Sequence, residues 1–249
     1  MWEFCIAFDD ETQAQNFRKS IISDIKSLQG VVTVLVSITF AKVLIAVPND
    51  VKTKAKEILI EKIAENILLY NKKRYILSKL NFDITHSTSM QVFLKALVVF
   101  DSDTDKEIII ERLDLQNDIV VKSFVDFRLT FLKRKWDELV SLANDNAMYL
   151  VSEDTFGELI KFLISNLEYR CYAVNVFSKK NCYLLCDTQG KVINDFLIER
   201  NIVYDDNMLI TSLIALNPEK IIVHCNSFVK DKLLKTLYEY FSNRLEVCK

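Results

Sequence analysis

Val31-Val-Thr-Val-Leu-Val-Ser-Ile-Thr-Phe-Ala-Lys-Val-Leu-Ile-Ala-Val47 is the one stretch of this chain that can mimic a membrane span, and its reading decides the fold class. A span needs about 18 uninterrupted apolar residues. Thr33, Ser37, Thr39 and Lys42 interrupt this run, and a lysine near the middle of a span costs about 3 kcal/mol. β-Branched side chains crowd the stretch, and they suit a pleated surface better than a helix. It therefore predicts two adjacent buried strands, over 31–40 and 42–47.

Working outward, residues 1–8 read as a short strand. Thr12 is placed to cap a helix in which Phe17, Ile21, Ile25 and Leu28 recur at spacings of three and four, and Gly30 closes it. Downstream, Pro48-Asn49-Asp50 signals a turn and a helix start. A long helix is predicted over 51–80, with Ile58, Leu59, Ile63, Ile67 and Leu68 as its apolar stripe. Only three glycines and two prolines punctuate the chain, which favours long helices. Further helices are expected over 86–100, 106–113, 124–144 and 155–167. A polar break falls at 101–105, and Phe127, Phe131, Leu132, Leu139 and Leu142 share one side of the third of these helices.

After Glu168 the pattern changes. Strands are expected over 169–176, 182–186, 221–225 and 244–248, with helices over 194–200, 208–216 and 228–241. Asp206 and Ser227 are the expected caps of the last two. The fold class is α+β: an N-terminal β-α-β-β unit, a helical middle, and a C-terminal small sheet flanked by helices. The expected division is 1–113, an N-terminal α+β region with a helical extension, and 114–249, a C-terminal helical and α/β region.

Two segments resemble a known family. Ser123-Phe-Val-Asp-Phe-Arg-Leu129 is similar to a short aromatic-polar-Phe-Arg-Leu signature. Asp206-Asn-Met-Leu-Ile-Thr-Ser-Leu-Ile-Ala-Leu-Asn-Pro-Glu-Lys-Ile-Ile-Val-His224 is similar to an acidic cap, a Leu-Ile-x-x-Leu-Ile helix and a Pro-x-x-Ile-x-x-His strand. With Arg244-Leu-Glu-Val-Cys248, these resemble the YtxC-like family of sporulation proteins over roughly 120–249. Asp126 stands where the family pattern usually has Asn. The resemblance implies an endospore-forming bacterium of the Firmicutes and a role linked to sporulation. It carries no established reaction, so no catalytic residue is transferred.

Composition narrows the function classes. The 249 residues are half hydrophobic and about a quarter charged, with a net charge of −2, a globular balance. No basic half exists to hold nucleic acid. The opening residues lead into Asp9-Asp10-Glu11 instead of a basic segment and a long apolar run, which predicts a cytoplasmic protein. Cys5 stands alone, and Cys171, Cys182, Cys186, Cys225 and Cys248 lie in the last third. They read as reduced, structural thiols.

Each candidate site has a plain alternative. Cys182, Cys186, His224 and Cys225 make a zinc quartet on paper. A strand, however, would hold Cys182 and Cys186 about 13 Å apart, so no metal site is expected. His224 ends a β-branched strand, where it can act as a general base or bond locally. Catalysis there needs a nucleophile beside it. Gly30, Gly157 and Gly190 are too scattered for a phosphate loop or dinucleotide fingerprint, and no cofactor is implied. The carboxylate pairs at Asp9-Asp10 and Asp205-Asp206 suit helix starts. Lys72, Lys73 and Arg74, between Tyr70 and Tyr75, are the possible nucleic-acid contact; Lys133-Arg134-Lys135 is blunted by Asp137 and Glu138. Arg128, among Phe124, Phe127 and Phe131, reads as a partly buried clamp or an anion-binding residue. The reading is a noncatalytic accessory or protein-interaction factor with an unknown protein partner in sporulation. The alternatives are a nucleic-acid-binding protein and an uncharacterised enzyme.

Overall fold

A computed structural model describes residues 1–81, 88–147, 153–179, 182–198, 202–203, 205–224 and 229–248. The protein is α+β. Its chain groups into two compact units, one of residues 1–78 with 102–138 and the other of 79–101 with 139–249. The units interleave along the sequence, whereas the sequence reading expects one division after residue 113.

In the first unit, β1 (Trp2–Phe8), α1 (Glu11–Ser27), β2 (Val31–Val36) and β3 (Ala41–Val47) form the expected β-α-β-β unit. A short β4 (Ile119–Val120) completes a sheet of order β2-β3-β1-β4. β3 is antiparallel to both β1 and β2, and β4 is parallel to β1. Phe4, Ile6, Phe8, Val43 and Ile45 lie buried on one face, as do Phe17, Ile21 and Ile25 of α1. Asp10 caps α1, accepting from Gln13 N at 2.7 Å, in place of the expected Thr12. The left-handed residue at its end is Gln29. Gly30 is needed for another reason: a Cβ there would meet Val47 Cγ1 at 2.6 Å and Ala46 O at 2.8 Å. β2 departs from the expected buried strand. It stops at Val36 and leaves Val31, Leu35 and Val36 exposed, because it is the sheet edge.

The long helix predicted over 51–80 is present with a change of winding. One 3₁₀ turn leads into α2 (Lys52–Asn66), a π-helical stretch Ile67–Lys72, and α3 (Lys73–Lys79). α4 (Thr88–Val99) follows, then α5 (Ser102–Arg112). The expected polar break at 101–105 is largely the first turn of α5, because Asp105 turns inward. The expected helix over 124–144 is two, α6 (Val121–Arg128) and α7 (Thr130–Ala147), separated at Leu129. Of the five residues expected on one side, Leu132 is buried and Leu139 half-buried while Phe127, Phe131 and Leu142 are exposed, so they do not share one apolar side.

The centre of the first unit is polar. Lys72 is 0% exposed and Asp105 1%. Lys72 Nζ lies 2.8 Å from Asp105 Oδ2. Trp136 Nε1 donates to the same oxygen at 2.8 Å, and Lys135 Nζ lies 3.4 Å from Oδ1. On the same helical run as Lys72, Asn66 Oδ1 and Asn71 Oδ1 accept from Gln13 Nε2 at 2.6 Å and 2.9 Å. π-Helical turns are rare and re-aim the residues that follow; here the turn carries both Asn71 and Lys72, and both are buried.

In the second unit, α8 (Glu153–Asn166) precedes β5 (Cys171–Lys179), β6 (Cys182–Cys186), β7 (Ile202–Val203), α9 (Asp206–Leu216), β8 (Pro218–His224), α10 (Asp231–Phe241) and β9 (Leu245–Cys248). The sheet order is β7-β6-β5-β8-β9. β5, β8 and β9 run parallel, and β6 is antiparallel to β5. Both crossovers step the same way, and right-handed crossovers then put α9 and α10 on one face. Val174, Val176, Ile221 and Val223 are buried on one side of the sheet, while Asn175, Ile222 and His224 on the other are half-buried. Asp205, not Asp206, caps α9 through Met208 N at 2.7 Å. The helix expected over 194–200 is a turn through Ile198, its described part. There Asp195 accepts from Leu197 N at 2.8 Å and pairs with Arg170 at 3.1 Å, the local competition that keeps Asp in turns. Asn217, left-handed and fully buried, donates to Leu167 O at 2.8 Å and accepts from Arg244 at 2.7 Å.

Removing one member of a buried charge pair costs about 3–5 kcal/mol, because the other stays buried and unpaired. Asp105→Ala and Lys72→Met are each expected to destabilise by that order. The double variant is expected to lose less than the sum, with partial recovery because Trp136 keeps an unpaired N–H. Urea unfolding of the four proteins measures the coupling; strictly additive losses would show that the two charges do not depend on each other.

Candidate functional site

His224 ends β8 at the carboxyl edge of the parallel strands, where open α/β sheets collect functional groups. Its register partner on β5 is Phe177, and the two rings stack with centroids 4.2 Å apart and planes 8° from parallel. His224 Nε2 lies 2.9 Å from Asn175 Oδ1. Asn175 Nδ2 donates to Asp187 O at 3.1 Å, so the amide is oriented with its oxygen toward the ring. With the amide oxygen facing it, Nε2 is the nitrogen that carries the proton in the neutral ring. Asn175 and Phe177 were not singled out in the sequence. The only signal available was a polar residue inside an otherwise apolar strand.

The thiol nearest in register is Cys248, opposite His224 on β9 and exposed. No hydrogen bond joins the two among the described residues. Cys182 and Cys186 lie at the two ends of the unbroken strand β6. Burial pushes the Cys171 thiol up to about 11 and raises that of Cys186 as well, so both are protonated at neutral pH. Among the described residues no group of three His, Cys, Asp or Glu side chains is placed to hold a metal ion. Cys225 and His86 lie outside the described residues. Elsewhere in this unit, Phe93, Leu97, Leu142 and Phe162 line an apolar cleft of about 280 Å³, with no polar group among its lining residues to orient a ligand.

In the first unit, Phe127 and Phe131 are 79% and 58% exposed. Arg128 between them is also exposed. This corrects the expectation of a partly buried clamp: α6 ends at Arg128, and the turn of the chain at Leu129 buries the leucine instead. Asp126 accepts from Lys133 at 3.0 Å and from Lys122 at 3.3 Å. The Lys133 hydrogen bond, ahead of the others, holds its carboxyl below the usual range. A charged residue is thus used where the family pattern has an amide. The basic run divides. Lys73 and Arg74 are exposed, Arg74 pairing with Asp9 at 3.0 Å, whereas Lys72 is withdrawn onto Asp105 and has no surface to offer a phosphate.

The ring orientation can be tested directly. Neutral His224 is expected to be the Nε2-protonated tautomer, read from long-range ¹⁵N–¹H correlations, and Asn175→Leu is expected to release that preference. A proton on Nδ1 in the parent protein would show that the amide faces the other way.

No helix among the described residues is long and apolar enough to cross a membrane. No curated protein and no solved structure matches the chain. The model of the YtxC-like family matches residues 49–246. That match takes in both resembling segments, the exposed Phe127–Arg128 pair and the His224 strand end. By a match over most of its length, the chain belongs to the YtxC-like family.

Proposed function

We propose that this protein is an accessory, protein-binding factor in the sporulation of an endospore-forming bacterium, acting in the cytoplasm without an enzymatic activity of its own. Family membership supports the sporulation context. The observation that carries the binding role is the exposure of Phe127, Arg128 and Phe131 within five consecutive residues. Aromatic and arginine side chains are the types enriched at the energetic centres of protein interfaces. A fold that needed them for its core would have buried them. Phe127 and Arg128 also fall in one of the two segments that carry the family resemblance, and they are exposed there.

The test is affinity capture of the tagged protein from sporulating cells, comparing the parent with a Phe127→Ser/Arg128→Ala/Phe131→Ser variant. Each surface change is expected to alter stability by less than about 0.5 kcal/mol, so thermal melts should stay close together. The expected result is a partner recovered with the parent and lost with the variant. Equal recovery with both would remove this surface from the function.

A further inference from the structure

The N-terminal sheet treats its two edges differently. On the β1 side, β4 pairs with Ile6 and Ala7, and Asp118 Oδ1 accepts the Cys5 N–H at 3.0 Å. That edge is short, and a carboxylate occupies its next donor. The β2 side has no such protection. β2 pairs with β3 without a bulge, from Val31↔Ala46 to Val36↔Ala41, and among the described residues no strand lies on its outer side. Its sequence, Val31-Val-Thr-Val-Leu-Val36, contains no charge and no proline. Val31, Leu35 and Val36 are exposed on it, as are Ile38 and Phe40 in the turn that follows. Proteins that keep an edge strand free guard it with lysine, proline, a bulge or a cover, and among the described residues this edge has none of these.

We infer that β2 pairs antiparallel with β2 of a second copy of this chain, joining two sheets across a two-fold axis near Thr33. A two-fold demands that the strand be complementary to itself, and the side chains meet that demand. With the axis at Thr33, each Thr33 meets its counterpart, Val31 meets Leu35, and Val32 meets Val34. These are threonine pairs and β-branched or aliphatic pairs, which favour cross-strand contact. No like charges are brought together. The nearest charged side chain on the open face is Lys42, one strand inward opposite Leu35, and its ammonium lies over its own Phe40 ring at 5.0 Å. The apolar turn with Ile38 and Phe40 then runs past the start of the other copy's β2. A foreign strand would need no such self-complementarity. The surface is separate from the Phe127–Phe131 segment, so this inference and the proposed function fail independently.

The experiment is sedimentation equilibrium of the full chain from about 1 to about 200 μM, since a single strand pair falls below the standard interface of ~1,600 Å² and is expected to dissociate in that range. Thr33 is exposed, so Thr33→Lys and Thr33→Glu should keep the parent's circular dichroism and melting temperature. The parent is expected to dimerise reversibly. Each variant alone, facing its own charge, is expected to dimerise at least 10-fold more weakly, and an equimolar mixture of the two should regain the dimer. A parent that stays monomeric throughout would overturn the inference, whether or not it then binds lipid vesicles or another protein through this edge. So would variants that dimerise like the parent, or a mixture that stays monomeric.

Discussion

The first unit depends on a charge pair placed where charges are costly. Asp105 is enclosed, and three donors converge on it: the Lys72 ammonium, the Trp136 indole N–H and, at longer range, Lys135. An enclosed carboxylate is tolerable only with its partners in place. Each partner belongs to a different part of the chain, Lys72 to the π-helical turn, Asp105 to α5 and Trp136 to α7. The pair therefore specifies how three helices meet, which apolar packing alone does less selectively. The π-helical turn sits at the point where the long helix presents Asn71 and Lys72 to the interior.

Both sheets are finished on one side only. In the N-terminal sheet Phe4, Ile6, Phe8, Val43 and Ile45 are buried, while the residues that alternate with them are left more open. In the C-terminal sheet Asn175, Ile222 and His224 are half-buried and Phe177 is exposed. Half-covered sheets leave backbone edges and polar strand ends available for recognition. The His224 ring uses that freedom in an ordered way, stacked on Phe177 and oriented by Asn175. The order is local to two neighbouring strands, and Cys248 stands beside it without a hydrogen bond to it. A rigid ring at a strand end suits a recognition surface as readily as it suits chemistry.

Much of the fold was legible because it rests on short-range rules. The β-branched run of Val31–Val47, the three-and-four spacing of Phe17, Ile21 and Ile25, and the scarcity of glycine and proline all act within a few residues. Capping is legible in kind and misplaced by one or two positions: the sequence points to Thr12 where Asp10 caps, and to Asp206 where Asp205 does. In both places neighbouring residues are capable caps, and only the chain direction entering the helix chooses between them. The break at Leu129 was hidden because the apolar residues on both sides of it fit a single helical stripe. The candidate site was legible only at His224. Asn175 and Phe177 reach it through a parallel strand pairing between residues 47 or more positions away, and sequence spacing holds no record of that register.

By itself, the sequence determined the class of this protein: an α+β chain with a strand pair at Val31–Val47, helices in the middle, strands and helices at the end, and the motifs of its family. Those outcomes follow from side-chain periodicity and backbone preference, which each segment carries with it. Only the tertiary structure decided which polar residues are inside. Lys72 and its neighbours Lys73 and Arg74 look alike in the sequence, yet one is buried and two are exposed. Arg128 and Phe127 looked like interior residues and are outside. Burial depends on what the opposing elements supply, here the Asp105 carboxylate for Lys72 and, among the described residues, no carboxylate for Arg128. A charge goes inside where its partner waits, and that partner lies 33 residues away from Lys72.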